Sequence, residues 1–190
     1  MSARRYAVSM QPFPADQASA IVQNVYIPGL EDEHRITKGV IHAIPLDKGD
    51  YRPDQISKSA IDLAWHIVAA EMRFLEAIPA GEFDFTPKHR PETVKTSADL
   101  LEWYEPNFQT RLDKLRTLSG EPLVKVIDFR GIFKMQAFMY LNFILGHTIH
   151  HRGQLSMYLR PMGAKVPSIY GESYDVAEAR KAALAETVAV

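Results

Sequence analysis

The segment from about Phe133 to Arg160 constrains the fold more than any other part of the chain. It runs without a proline, has the length of a long helix, and carries apolar residues on every face between Met135 and Ile149. A helix that is apolar all round has to be enclosed, either by other elements of its own chain or by a second subunit. Its most apolar stretch, Met135 to Leu145, reaches only about half the length of a membrane crossing and contains Gln136 and Asn142. The enclosure is therefore expected to be protein, and the remaining sequence has to supply it.

Proline and glycine divide that remainder at Pro28-Gly29, Pro45, Pro53, Pro79 to Pro91, Gly120 to Pro122 and Pro161 to Pro167. A first helix is expected from about Ala15 to Ile44, bent or interrupted at Pro28-Gly29. A second runs from near Gln55 to Ile78, with Ile56, Ala60, Ala64, Ile67, Leu75 and Ile78 on one side. A third runs from Ser97, a plausible N-cap, to about Leu118, with a bend at Pro106. LVKVIDFRG alternates enough for a short extended connector but is too isolated to make a sheet. From Val176 onward the alanine-rich tail reads as a surface helix. The expected fold is all-α: a four-helix bundle in one domain over 1–190, with its core over about 15–175.

Lys and Arg number 22 against 23 Asp and Glu, with no block of like charge, which argues against a nucleic-acid or anionic-membrane surface. Cysteine is absent, so disulfides, thiolate zinc sites and a cysteine nucleophile are excluded, and a bound metal has to rely on imidazole and carboxylate. The opening MSARRYAVSM lacks the apolar centre of a secretory leader, so a soluble cytoplasmic protein is expected.

The histidines of GHTIHHRGQL carry the strongest chemical signal. On a helix, residues four apart are nearly eclipsed and neighbours diverge by about 100 degrees. His147 can therefore share an ion with His151 or, less ideally, with His150, but not with both. On the second helix His66 lies at the margin of the apolar stripe, where pairing with Asp62 explains it as well as ligation does; Ala69 and Ala70 leave room beside it. Glu71 sits near the centre of that stripe and needs a buried partner, for which Arg152 or a ring nitrogen of the last long helix is expected. Glu71 and Arg152 are also the candidate catalytic residues.

Three segments together resemble the DinB/YfiT-like superfamily of metalloenzymes: YIPGLEDEHRITKGVIHAIPLDKGDYRP, LAWHIVAAEMRFL and GHTIHHRGQLSMYLRPMGAKVPSIYGESYD, spanning Tyr26 to Asp175 in the family's order. The resemblance implies His66, His147 and His151 as ligands of one divalent transition metal, with His150 facing away, and a homodimer that would cover the apolar surplus of the last long helix. Three neutral imidazoles leave coordination positions open, and zinc, nickel, iron or manganese would all suit them. The implied chemistry is a thiol-dependent S-transferase or isomerase using a low-molecular-weight thiol and a small-molecule substrate. A metal-dependent hydrolase is the alternative, and a non-catalytic metal-binding protein a third. The open position is expected to face a pocket roofed by the loop from Pro161 to Tyr170, with Arg152 as either a substrate clamp or the partner of Glu71.

Overall fold

The computed structural model of the protein describes residues 11–188. The N-terminal segment read above for a leader lies outside the described residues, as do the last two positions of the tail.

The first helical run, expected to be bent or interrupted at Pro28-Gly29, is not interrupted there. Helix α1 (Ala15–Ile21) passes through a π-helical stretch (Val22–Tyr26) into α2 (Ile27–His42). Pro28 has no N–H to donate to the preceding turn, and the widened turn just before it absorbs that defect without ending the helix.

Helix α3 (Ala60–Ala80) begins five residues later than the apolar spacing suggests. The Asp54 carboxylate accepts the backbone N–H groups of Ile56 and Ser57, both at 2.8 Å, and holds this segment as a turn. Ile56 is consequently 98% exposed, whereas Ala60, Ala64, Ile67, Leu75 and Ile78 are buried as expected. Ser59 caps the helix by accepting from Asp62 N–H, and Gly81, at φ 71°, closes it in the left-handed conformation that glycine adopts without strain. Helix α4 (Ser97–Arg116) is capped by Thr96 rather than Ser97, because Asp99 completes a reciprocal capping box with Thr96. The Ser97 hydroxyl instead donates to the carbonyl of Ile44, 2.9 Å away, tying the start of α4 to the end of the first run.

A short helix α5 (Gly120–Val124) leads into a feature that the sequence reading had excluded. Strand β1 (Val126–Phe129) pairs antiparallel with β2 (Phe133–Gln136) across a turn at Arg130 and Gly131, both with positive φ. The last long helix therefore begins at Tyr140, after a 3-10 turn over Ala137–Met139, and not at Phe133. Phe129 and Phe133 stack with ring centroids 5.1 Å apart, and the Tyr140 hydroxyl donates to the carbonyl of Ile127 at 2.9 Å. Aromatic packing thus holds an isolated hairpin against the start of the last long helix.

Helix α6 (Tyr140–Leu159) packs on α2 and α3, and α4 packs on the same two helices from another side. The chain is mostly helical, and its core lies among these elements. Helix α7 (Tyr174–Val188) is mostly exposed, and from Glu178 to Thr187 wholly so, as the tail composition suggests. No helix among the described residues is long and apolar enough to cross a membrane.

Candidate metal centre

Helices α3 and α6 bring His66, His147 and His151 together. One ring nitrogen from each lies within 4.8 Å of the others. Nε2 of His66 is 3.2 Å from Nε2 of His151. Two imidazole nitrogens bound tetrahedrally at about 2.0–2.1 Å stand roughly 3.3 Å apart, so this pair already has the spacing of two ligands. His151 is oriented by Gln154 one turn on, whose Oε1 lies 2.7 Å from Nδ1. A carbonyl oxygen can only accept, so the proton sits on Nδ1 and the lone pair on Nε2 faces the cluster. Gln154 was not singled out in the sequence, although its place three residues after His151 was a usable signal.

Electrostatics favour the neutral, ligating form of His66 and His147. Burial, reinforced by the neighbouring imidazoles, pushes His147 down to about 4. His66 is lowered as well, first by burial and then by the charges of His151, Lys58 and Arg73. Nδ1 of His147 is buried without a protein partner. His150 is exposed and outside the cluster. Asp62 does not pair with His66; its carboxylate takes the Ser59 hydroxyl at 2.7 Å and the arginines Arg90 and Arg52 at 3.1 and 3.5 Å. The donor set fits a divalent transition metal: three half-buried imidazoles, one with its tautomer fixed.

His66 opens on a cavity of about 880 Å³ running along α3 past Ala69, Ala70 and Arg73. Its opposite wall comes from residues 52–58 and 87–92, the connectors on either side of α3. Trp65 Nε1 donates to the Lys88 carbonyl at 3.1 Å and Arg73 to that of Thr86 at 2.9 Å, which fastens the second connector down. His151 and Gln154 line a smaller cavity of about 470 Å³, and Lys58 belongs to both.

The loop from Pro161 to Tyr170 roofs neither cavity. It turns at Gly163, φ 80°, and carries the Tyr170 hydroxyl to Glu33 of α2, at 2.9 and 3.1 Å from its two carboxylate oxygens. Arg152 accounts for that course. Its guanidinium is 1% exposed and donates to the Glu33 carboxylate, to Thr37 Oγ1 at 3.2 Å and to Tyr170 at 2.6 Å. Glu71, also 1% exposed, accepts from the Tyr104 hydroxyl of α4. The expected Glu71–Arg152 hydrogen bond is therefore replaced by two separate pairs, because Arg152 leaves α6 toward α2 while Glu71 leaves α3 toward α4. Burial still pushes the Glu71 carboxyl up to about 7, against the opposing effects of the Tyr104 hydrogen bond and the Arg152 charge. Neither residue lines the cavities beside the histidines. Tyr104, Glu33, Thr37 and Tyr170 were not identified from the sequence; Glu33 and Thr37, four apart on one helix, were the one legible pair.

The profile of the DinB family matches residues 23–182. Among curated relatives, the uncharacterized protein YjoA of Bacillus subtilis (strain 168) is 29% identical over 133 residues, covering 68% of this chain and 84% of that protein. The uncharacterized protein YrdA of the same organism is 33% identical over 113 residues, covering 57% and 64%. Among solved structures, the DinB-like protein YjoA of Bacillus subtilis superposes with a TM-score of 0.66 at 24% identity, over 79% of this chain and all of that one. A DinB-like protein of Bacillus cereus ATCC 10987 gives 0.65 at 20% identity, over 76% and 95%. At these identities the structural likeness is one of fold.

Proposed function

The chain belongs to the DinB family, and on that premise we propose that it is a metal-dependent enzyme whose single divalent ion is held by His66, His147 and His151. The observation that carries this reading is the convergence of three imidazoles within 4.8 Å of one another, with His66 on the wall of an open cavity. When bound, the ion would supply a charge that makes a coordinated thiol or water more acidic. The chain's own residues set the rest: Gln154 fixes the His151 tautomer, and the connectors facing α3 shape the space where a substrate would lie.

Within that reading, transfer of a low-molecular-weight thiol, as an S-transferase or isomerase, is favoured over hydrolysis. Hydrolysis calls for a general base beside the ion. Glu71 is buried against Tyr104 away from both cavities, and Asp62 is engaged by the Ser59 hydroxyl and two arginines, which hold its carboxyl below the usual range against the effect of partial burial. A purely structural metal would favour a closed site, whereas His66 borders an open one.

The proposal extends to assembly and location. The ring of contacts among α2, α3, α4 and α6 is read as the family's four-helix bundle, in one domain over 1–190 of a cytoplasmic protein. Met135, Met139 and Leu145 pack against the chain's own core, which reduces the apolar surplus on which a homodimer was expected. Phe143 and Ile149, each 39% exposed, and Met157, 75% exposed, remain to form that interface. Elemental analysis of the purified protein, followed by a screen of the metal-loaded enzyme against thiols and electrophiles, tests the central reading. About one ion per chain and thiol-dependent turnover are expected; a metal-free protein that cannot be loaded overturns it.

A further inference from the structure

We propose that the cavity beside the histidines receives a small organic anion, whose carboxylate or phosphate group pairs with Arg73 while its uncharged part lies along α3 toward His66. The inference rests on the metal reading only for what happens at the His66 end; the anion site itself is made by other residues.

Most of the charges lining the cavity are already matched. Arg52 and Arg90 share Asp62, and Lys88 is paired with Glu76. Glu92 is exposed at the rim. Among the described residues, Arg73 and Lys58 have no carboxylate within 4.0 Å, although both line the same space as His66. Arg73 is also held in place. One terminal nitrogen donates to the Thr86 carbonyl at 2.9 Å, while among the described residues neither the other terminal nitrogen nor the buried Nε has an acceptor. The free terminal nitrogen, unlike Nε, is accessible, and an anion entering the cavity supplies its acceptor in a charge-assisted hydrogen bond. Arg73 stands seven residues after His66, about two helical turns or roughly 10 Å along the same face. Between them Ala69 and Ala70 leave the helix surface clear, and Trp65 offers an aromatic wall. Lys58, just before the α3 cap, provides a second unpaired charge at the opposite end of the cavity.

The test titrates the full-length protein as purified with phenylphosphate, phenylacetate and neutral phenylacetamide. Calorimetry and the amide and indole NMR signals of Trp65 report binding, and metal content is measured on every sample. Arg73→Gln is expected to weaken anion binding about tenfold and Arg73→Lys to recover most of the loss, whereas Lys58→Gln, at the far end of the cavity, changes it less than about twofold. The two anions report whether phosphate or carboxylate is preferred; either preference supports the site, provided the amide binds at least tenfold more weakly. Equal binding of the amide, or anion binding indifferent to Arg73→Gln at unchanged metal content, overturns the inference and leaves the metal reading standing. Arg73-dependent anion binding by a protein that takes up no metal supports the anion site and sinks the metal reading. Should Arg73→Gln loosen the connector through loss of the Thr86 contact, the Trp65 signals of the ligand-free variant report it and Arg73→Lys carries the test: anion binding no tighter there than in Arg73→Gln counts against the proposal.

Discussion

His151 and Arg152 are neighbours in the sequence, yet they lead into polar sites of opposite character. Arg152 turns inward to Glu33, Thr37 and Tyr170, and every one of those partners belongs to the protein. His151 turns toward α3: Gln154 of its own helix satisfies one ring nitrogen, and the other meets His66 on the border of a cavity. The same division occurs on α3, with Glu71 closed off by Tyr104 and His66 open. Side chains one residue apart on a helix diverge by about 100 degrees, enough to send one into the core and the other to a solvent-accessible cleft. Polar groups whose partners are all internal contribute to stability and specificity of packing, whereas groups left with free valence beside a cavity are available for a ligand. Substitutions at the two sites should therefore separate cleanly, one set altering ligand binding and the other altering folding.

The largest expected effect is at the open site. Replacing both His147 and His151 with alanine should abolish metal uptake, while His150→Ala leaves it unchanged, as measured by elemental analysis. Full occupancy in the double variant would remove the site. Next in size is Arg152→Ala, which strands the Glu33 carboxylate in a mostly buried position and should cost about 3–5 kcal/mol in a denaturant melt with metal content preserved. Loss of metal without loss of stability in that variant would reverse the assignment of the two sites.

Glu71 supplies a pH test of the closed site. Burial holds its carboxyl at about 7 against an ordinary 4.5, so between those values the folded chain keeps a proton that the unfolded chain has released. The associated stability is complete below the lower value and is lost as pH rises through the upper one. Glu71→Gln keeps an acceptor for Tyr104 and removes the ionisation. Its stability relative to the parent should rise between those pH values by an amount on the order of 3 kcal/mol. Parallel pH profiles for the two proteins would show that Glu71 ionises freely in the fold. The smallest effect belongs to Gln154→Ala, which releases the His151 ring and should weaken metal affinity about tenfold with little change in the melt. An unchanged affinity there would mean that packing alone orients the ring.

Much of this arrangement was legible before the fold was known, wherever the information was local. The period of α3 located its buried stripe, and Ala69 and Ala70 marked the open space beside His66 that the cavity fills. The spacing of His147 and His151 placed both rings on one side of α6. The hairpin was missed because four-residue strands carry too little alternation to identify themselves, and FKMQ blends into the helical pattern that follows it. Ile56 was assigned to the stripe because its spacing matches, but the Asp54 turn acts on the backbone and outweighs a single apolar side chain.

What the sequence determined by itself was the helical character of the long segments, the exclusion of cysteine chemistry and the face shared by two histidines, since these follow from composition and from a period of about 3.6 residues. What only the tertiary structure decided was which helix each face meets. Arg152 found Glu33 instead of Glu71, and the cavity took its walls from residues 52–58 and 87–92 instead of the loop after α6. Those outcomes depend on the rotation of one helix against another and on the course of the connectors, and neither is encoded in the period of any single segment.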